Sequence, residues 1–225
     1  MTRIETENEA GTSAQREYAR RRGARRARAK ARHGILGSAV AALAGDPASV
    51  QAWRSGAEGE IATARALAWR LHRSDVVVLH DRRIPGRGRA NIDHIAIGPG
   101  GVTVIDSKSS RGAVQLASAG IIQRHQVLLV NGRDRTRQLD ALERQITRVA
   151  AALQRHGVGD VGVLGALCFP FMRRPWLHAS RARDGLITVD DPRHIAKLAN
   201  RPGRLGPAEI EQLADTLARA FPPAA

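Results

Sequence analysis

Two aspartates and a lysine near the middle of the 225-residue chain have the types and the spacing that metal-assisted chemistry requires. Asp93 lies in segment 91–95, and Asp106 and Lys108 end an apolar segment that begins at Val102. Carboxylate oxygens are preferred ligands of Mg²⁺ and Mn²⁺, and a nearby lysine can stabilise negative charge that develops on phosphorus. The pattern predicts Asp93 and Asp106 as metal ligands and Lys108 as a catalytic residue.

The two aspartates must be positioned by a hairpin. Segments 92–97 and 102–108 predict two strands joined through Gly98-Pro99-Gly100-Gly101. A symmetric loop centred between Pro99 and Gly100 places Asp93 opposite Asp106, on one face of the sheet with Lys108. Carboxylates so placed repel each other. A bound cation would relieve the repulsion, and so would an ion pair of Lys108 with one aspartate while the other stays protonated.

A helix before the hairpin supplies a third acid. Asp46-Pro47 is a helix-start signal, and a helical stretch follows in which Gly56 is the one candidate break. Glu60 shares a face of this helix with the apolar residues Ala64, Leu67 and Leu71. Glu60 is therefore a candidate third ligand or general base that points toward the sheet. The alternative is an acid that only stabilises the helix dipole.

The remaining pattern indicates one mixed α/β domain from about residue 46 onward. Segments 76–79 and 161–169 are apolar runs typical of buried strands, and 112–116, 121–130 and 186–189 are further strand candidates. Segment 135–155 has the periodicity of a helix, and 192–198 and 207–220 are expected to be helices too. The order helix, three strands, helix, strand predicts a mixed β-sheet flanked by helices.

Together these segments resemble the nuclease-related domain (NERD) family of the PD-(D/E)xK superfamily. The resemblance is close over residues 56–116 and looser to residue 169. It is carried by five segments: Gly56-Ala57-Glu58-Gly59-Glu60, Leu79-His80-Asp81, Asn91-Ile92-Asp93-His94-Ile95, Gly98-Pro99-Gly100-Gly101-Val102 and Val104-Ile105-Asp106-Ser107-Lys108.

The resemblance implies a restriction-endonuclease-like α/β core and metal-dependent cleavage of phosphodiester bonds, with Mg²⁺ or Mn²⁺ as cofactor. It assigns Asp93 and Asp106 to the metal, Lys108 to catalysis, Glu60 to the acid of the first helix, and Gln138 to a polar position of the second helix near the site. Two departures stand out: no proline precedes Asp93, and Asp106 replaces the more usual glutamate, so its carboxylate reaches one methylene less far.

The charge of the chain favours a polyanionic partner. Lys and Arg total 36 against 21 for Asp and Glu, a formal net charge of +15, which attracts nucleic acid. Residues 1–45 are expected to be an Arg-rich extension, disordered or partly helical, and 46–225 the nuclease-related domain. Candidate phosphate contacts lie on the second helix and after the last core strand: Arg137, Arg144, Arg148, Arg155, Arg173 and Arg174. For the helical arginines, an ordinary solvated face is the alternative.

Composition excludes several other classes of protein. One cysteine, Cys168, excludes a disulfide scaffold and a cysteine-based zinc site, and no apolar run has the length of a membrane span. The sequence thus predicts a cytoplasmic, metal-dependent nuclease whose expected substrate is DNA rather than RNA, with a homodimer as a further expectation. Two alternatives remain: a catalytically inactive nucleic-acid-binding module of the same fold, and a peripheral membrane protein that uses residues 35–43 as an interfacial segment.

Overall fold

The computed structural model describes residues 48–86, 90–119, 125–173 and 180–224, and single helical positions between residues 16 and 27. Most of the Arg-rich extension, segment 35–43 and Arg174 lie outside the described residues. The elements are α1 (Ala48–Leu71), β1 (Val77–Arg83), β2 (Asn91–Gly98), β3 (Gly101–Ser107), β4 (Gly112–Ala119), β5 (His125–Val130), β6 (Arg133–Asp134), α2 (Arg137–Arg155), β7 (Val163–Cys168), β8 (Met172–Arg173), β9 (Ser180–Ala182), β10 (Ile187–Asp190), α3 (Pro192–Ala199) and α4 (Pro207–Ala220).

The main sheet has six strands in the order β1-β2-β3-β7-β10-β9. Its first three strands are antiparallel neighbours, whereas β7 lies parallel to both β3 and β10. Helix α2 belongs to the connection from β3 to β7, as a parallel pair requires a crossover. For the main sheet, the order of one helix, three strands, one helix and one strand is confirmed, and so is the mixed α/β class.

A second sheet, in the order β6-β5-β4-β8, was not anticipated from the sequence. Strands at 112–116 and 121–130 were expected, but not their separation from the main sheet. The edge of β3 that faces away from β2 is already paired with β7, so β4 has no free edge there. Strands β4 and β5 therefore pair with each other as a hairpin, and β8 adds to β4 in parallel.

Hydrophobic cores cover both faces of the main sheet, because its strands alternate apolar side chains between two layers of helices. On one face, Val77 and Leu79 of β1 belong to the core that includes the apolar stripes of α2 and α4. On the other face, Val76 and Val78 pack in a core with α1 and α3. Helix α1 runs unbroken through Gly56, the one candidate break in the sequence. No helix among the described residues is long and apolar enough to cross a membrane.

The β2–β3 hairpin has the register that the glycine-marked loop predicts. Gly98 pairs with Gly101, and the ladder continues to the pair His94–Ile105. Gly101 adopts φ +109°, a conformation that L side chains rarely adopt, so this turn position requires glycine. The register sets the carboxylate-bearing ends of β2 and β3 beside each other at one edge of the sheet.

Candidate active site

The candidate site lies where β3 and β7 end and α1 crosses the sheet edge. Ser107 at the end of β3 is the register partner of Cys168 at the end of β7. Helix α1 approaches this edge closely: a Cβ on Gly59 would lie 3.0 Å from the backbone nitrogen of Ser109, tighter than ordinary packing. The next residue, Glu60, is buried. The absence of a side chain at position 59 thus lets the helix carry Glu60 into the end of the β2–β3 hairpin.

Asp93 is held at this edge by the backbone of the neighbouring strand. Beyond the pair His94–Ile105, the backbone N–H of Ser107 donates a hydrogen bond of 2.7 Å to Asp93 Oδ2. The Asp93 carboxylate therefore accepts a hydrogen bond from a backbone N–H of β3 that lies just beyond the β2–β3 ladder. One oxygen of Asp93 is oriented by this bond, and the residue is half-buried near the start of β2.

Lys108 forms an ion pair with Asp106, with Nζ donating to Oδ1 at 2.6 Å. Burial alone would lower the pKa of Lys108, but the charges of Asp106, Asp93 and Glu60 and this hydrogen bond outweigh burial and raise it. Lys108 is therefore a cation at neutral pH. It can neutralise negative charge and donate hydrogen bonds, but it does not act as a free amine base.

The other two acids resist ionisation because they are buried among like charges. Burial, together with the charges of Asp81 and Asp106, raises the pKa of Glu60 to about 8, although Lys108 opposes the shift. Burial also raises the pKa of Asp93 well above its usual value, with the charges of Glu60 and Asp106 adding to the effect. The edge thus gathers more acidic groups than one lysine could balance if all of them were ionised.

Asp81 is a member of this group that sequence reasoning did not single out. It is buried in β1 and adopts φ +46°, a left-handed conformation that is uncommon outside glycine and that clusters at functional sites. Its Oδ1 accepts a hydrogen bond of 2.7 Å from Asn91 Nδ2, and its charge acts on Glu60. A buried acid at the end of an apolar strand, in the segment Leu79-His80-Asp81, was the available signal.

Gln145 of α2 also reaches the site, and sequence reasoning did not identify it either. Its Nε2 donates to the backbone oxygen of Asn91 at 3.3 Å, next to the Asn91–Asp81 hydrogen bond. Gln138 lies two turns earlier on the same helix, half-buried, and its Oε1 has no hydrogen-bond partner among the described residues. The structure records no contact of Gln138 with the acids, so its role stays a prediction.

The described arginines that were expected to contact phosphate are exposed. Arg137, Arg144, Arg148 and Arg155 all lie on the solvent side of α2, whose opposite face packs in the core. Arg173, at the end of β8, is exposed as well. Their exposure fits both a phosphate contact and an ordinary solvated surface, so these roles also stay predictions.

A pair of buried histidines lies behind the carboxylates. His80 and His94 share a hydrogen bond of 2.8 Å between their Nδ1 atoms, and His94 Nε2 lies 3.1 Å from Ser107 Oγ. Burial lowers the pKa of His80 to about 4 and that of His94 well below its usual value, so both rings are neutral at neutral pH. The two rings thereby fix Ser107, whose N–H in turn orients Asp93.

A second group of potential metal ligands lies two strands away, at the end of β10. Asp190, Asp191 and His194 have ligand atoms that all lie within 4.8 Å of one another. Among the described residues they alone form such a set of three. Asp191 has a structural role here, because its side chain caps α3 by accepting hydrogen bonds from the backbone N–H groups of Arg193 and His194.

The chemistry of the acids at the hairpin edge fits a hard divalent cation. Glu60, Asp93 and Asp106 offer carboxylate oxygens, and Glu60 Oε2 is buried without a hydrogen-bond partner among the described residues. Mg²⁺ and Mn²⁺ prefer oxygen ligands, and Mg²⁺ is commonly held by only one or two carboxylates. A cation at this edge would offset the repulsion that keeps Glu60 and Asp93 protonated.

A mixed sheet of this topology, with acids and a lysine at the end of its antiparallel hairpin, defines a restriction-endonuclease-like α/β protein. Residues 55–170 match the model of the nuclease-related domain, NERD, and the chain belongs to that family. Neither the curated proteins nor the solved structures yielded a match. The family assignment made from the sequence is thus confirmed, and the match covers every acid at the hairpin edge together with Lys108.

Proposed function

We propose that the protein is a metal-dependent nuclease that hydrolyses phosphodiester bonds, with DNA as its expected substrate and Mg²⁺ or Mn²⁺ as its cofactor. The observation that supports this most strongly is the meeting of Glu60, Asp93, Asp106 and Lys108 at one sheet edge. Each of these four acts electrostatically on at least one of the others. Membership of the nuclease-related domain family adds independent support.

Within this proposal Asp93 and Asp106 would hold the cation, and the N–H of Ser107 fixes the position of one oxygen of Asp93. When bound, the cation would polarise the phosphoryl group and lower the pKa of a coordinated water. Lys108, a cation at neutral pH, would stabilise the charge that develops on the phosphoryl oxygens. A bound cation would offset the repulsion and favour ionised Glu60. Its Oε2, which has no hydrogen-bond partner among the described residues, would then accept the proton that the attacking water gives up.

The charge distribution supports a nucleic-acid substrate. The net charge of +15 favours association with a polyanion, and the exposed arginines of α2 offer positively charged groups that could contact phosphates. We propose that the Arg-rich residues 1–45 add affinity without sequence preference to a nuclease-related domain at 46–225. A cytoplasmic location and a homodimer remain part of the same proposal.

The test is cleavage of plasmid, single-stranded DNA and RNA by the purified chain, with Mg²⁺, Mn²⁺ or EDTA in parallel. We expect cleavage that needs the divalent cation and that both Asp106→Asn and Lys108→Ala abolish. Glu211→Gln, which removes an exposed carboxylate on α4, is the matched control and should cleave like the wild type. Full cleavage by Asp106→Asn or Lys108→Ala would refute the assignment.

The non-enzymatic alternative makes the opposite prediction in the same assay. One observation favours it: Asp106 is shorter than the glutamate more usual here, and its Oδ1 is already paired with Lys108. A chain that binds nucleic acid in EDTA but cleaves no substrate with either cation would establish the binding module and exclude the nuclease.

A further inference from the structure

A cleft of about 550 Å³ lies between the C-terminal end of α1 and the outer face of α3, away from the acids of the candidate active site. The polar and aromatic residues that line it are Trp69, Arg70, His72, Arg193, Lys197 and Asn200, and Leu71 and Ala196 form its apolar floor. We call it the Trp69 cleft. None of the proposed metal ligands or catalytic residues contributes to it.

Trp69 is exposed in this cleft, so packing in the hydrophobic core does not account for its presence. Trp69 is 70% exposed, and it is the one exposed large hydrophobic residue among those whose side chains the structure describes, which on α1 begin at Ser55. Arg70 lies over the indole at 5.1 Å from the ring centroid, a cation–π contact that holds the two side chains together at the surface. In a chain with only 3% aromatic residues, an indole left in water is a candidate contact for a ligand.

The charged side chains that line the cleft around the indole are all positive. Arg70, Arg193 and Lys197 are exposed and have no ion-pair partner within the described part of the chain, and no acidic side chain lines the cleft. Arg193 and Lys197 stand one turn apart on α3, a spacing at which like charges destabilise a helix. An anionic ligand would offset this repulsion, so the cleft is complementary to phosphate.

We propose that the Trp69 cleft binds unpaired nucleic acid, with a base stacked on the indole and phosphates held by Arg193 and Lys197. An aromatic ring among unpaired cations is the arrangement with which proteins bind single strands, since every base has a face that can stack. In an intact duplex these faces are covered by neighbouring bases, so the same cleft favours a single strand, an unpaired end or a flipped base.

The location of the cleft links it to the candidate active site, and in this respect the inference rests on the proposed function. Glu60 and Trp69 are nine residues apart on α1, which corresponds to about 13 Å along the helix axis. Helix α3 starts beside the end of β10, at the same sheet edge as the acids, and packs against α1. A strand that leaves the acids along these helices would reach the Trp69 cleft within a few nucleotides.

The test is fluorescence anisotropy of a labelled oligothymidylate of about 16 nucleotides, and of the same strand in a duplex, titrated with full-length protein in EDTA so that no cleavage occurs. We expect Trp69→Ala to weaken binding of the single strand by about fivefold or more and binding of the duplex less. Trp69→Phe, which keeps a stacking surface, should retain most of the affinity. Lys197→Ala should also make binding less dependent on salt. The slope of the logarithm of the binding constant against the logarithm of the salt concentration should become shallower by about 0.7, as expected for one lost phosphate contact.

Arg219→Ala is the matched control, since it removes one exposed cation from α4 on the opposite side of the main sheet. An equal loss of binding in Arg219→Ala and Lys197→Ala, or unchanged binding in Trp69→Ala, would overturn the inference. So would Trp69-dependent binding to phosphatidylserine vesicles without binding to the oligothymidylate. Trp69-dependent binding by a protein that cleaves nothing would overturn the proposed function and leave the cleft assignment standing.

Discussion

Replacing Glu60 by Gln should change how the stability of the metal-free protein depends on pH. Burial and the charges of Asp81 and Asp106 raise the pKa of Glu60 from 4.5 to about 8. Because this pKa is higher in the folded than in the unfolded chain, the folded state binds more protons between these two values. The stability contributed by protonated Glu60 is therefore complete below pH 4.5 and is lost as the pH rises through about 8.

The magnitude follows from the size of the shift. Each pKa unit corresponds to about 1.4 kcal/mol, so the shift of Glu60 represents about 5 kcal/mol of unfolding free energy across the whole window. Glutamine has nearly the shape of protonated glutamate and does not titrate. Between mildly acidic and mildly alkaline pH, Glu60→Gln should thus gain several kcal/mol relative to the wild type in EDTA. Adding Mn²⁺ should stabilise the wild type more than the variant at alkaline pH, because the cation favours the ionised acids.

The assay is urea unfolding followed by circular dichroism, at a series of pH values, with EDTA or with Mn²⁺. Glu211→Gln is the control, since Glu211 is exposed on α4 and its replacement should leave the pH dependence as in the wild type. Parallel curves of unfolding free energy against pH for the wild type and Glu60→Gln in EDTA would contradict this prediction, because Glu60 would then ionise freely in the folded chain.

The remaining predictions concern the histidine pair and the packing of the main sheet. The pKa of His80 is lowered from 6.5 to about 4, so stability should fall by about 3 kcal/mol as the pH drops between these values, and acid unfolding of His80→Gln should lack this contribution. Gly98→Ala should lower the free energy of unfolding in urea by about 1–3 kcal/mol, because its Cβ would meet the backbone oxygen of Ala199. Gly56→Ala, which has open space around it in a helix, should be neutral or stabilising. Equal effects of the two substitutions would contradict this difference in packing. Phe169→Ala should cost about 3–5 kcal/mol by the same measurement, since the ring is fully buried, and a loss under 1 kcal/mol would argue against that burial.

Local pattern was enough to predict the hairpin and the helix that approach each other at the site. The Gly98-Pro99-Gly100-Gly101 loop predicts the register of β2 and β3, which the pairing of Gly98 with Gly101 confirms. Helical spacing likewise placed Glu60 on the stripe of Leu67 and Leu71, and all three are buried. Both predictions depend only on residues close together in sequence, where turn chemistry and side-chain period fix the geometry.

Features that depend on contacts between residues distant in sequence could not be predicted from local pattern. Asp81 joins the acids because β1 pairs with β2 and because its backbone adopts φ +46°, and neither fact is visible in an apolar run. Gln145 approaches Asn91 only once α2 has packed across the sheet. The exposure of Trp69 was equally hidden, since a tryptophan in an amphipathic helix is expected to be buried.

The most direct test of metal binding at the hairpin edge is the position of Mn²⁺ in crystals of the protein grown with that cation, located by its anomalous scattering. The acids at the hairpin edge predict a peak within about 2.2 Å of carboxylate oxygens of both Asp93 and Asp106, which disappears in Asp106→Asn. A peak found only at Asp190, Asp191 and His194, or no peak at either place, would contradict metal binding by Asp93 and Asp106.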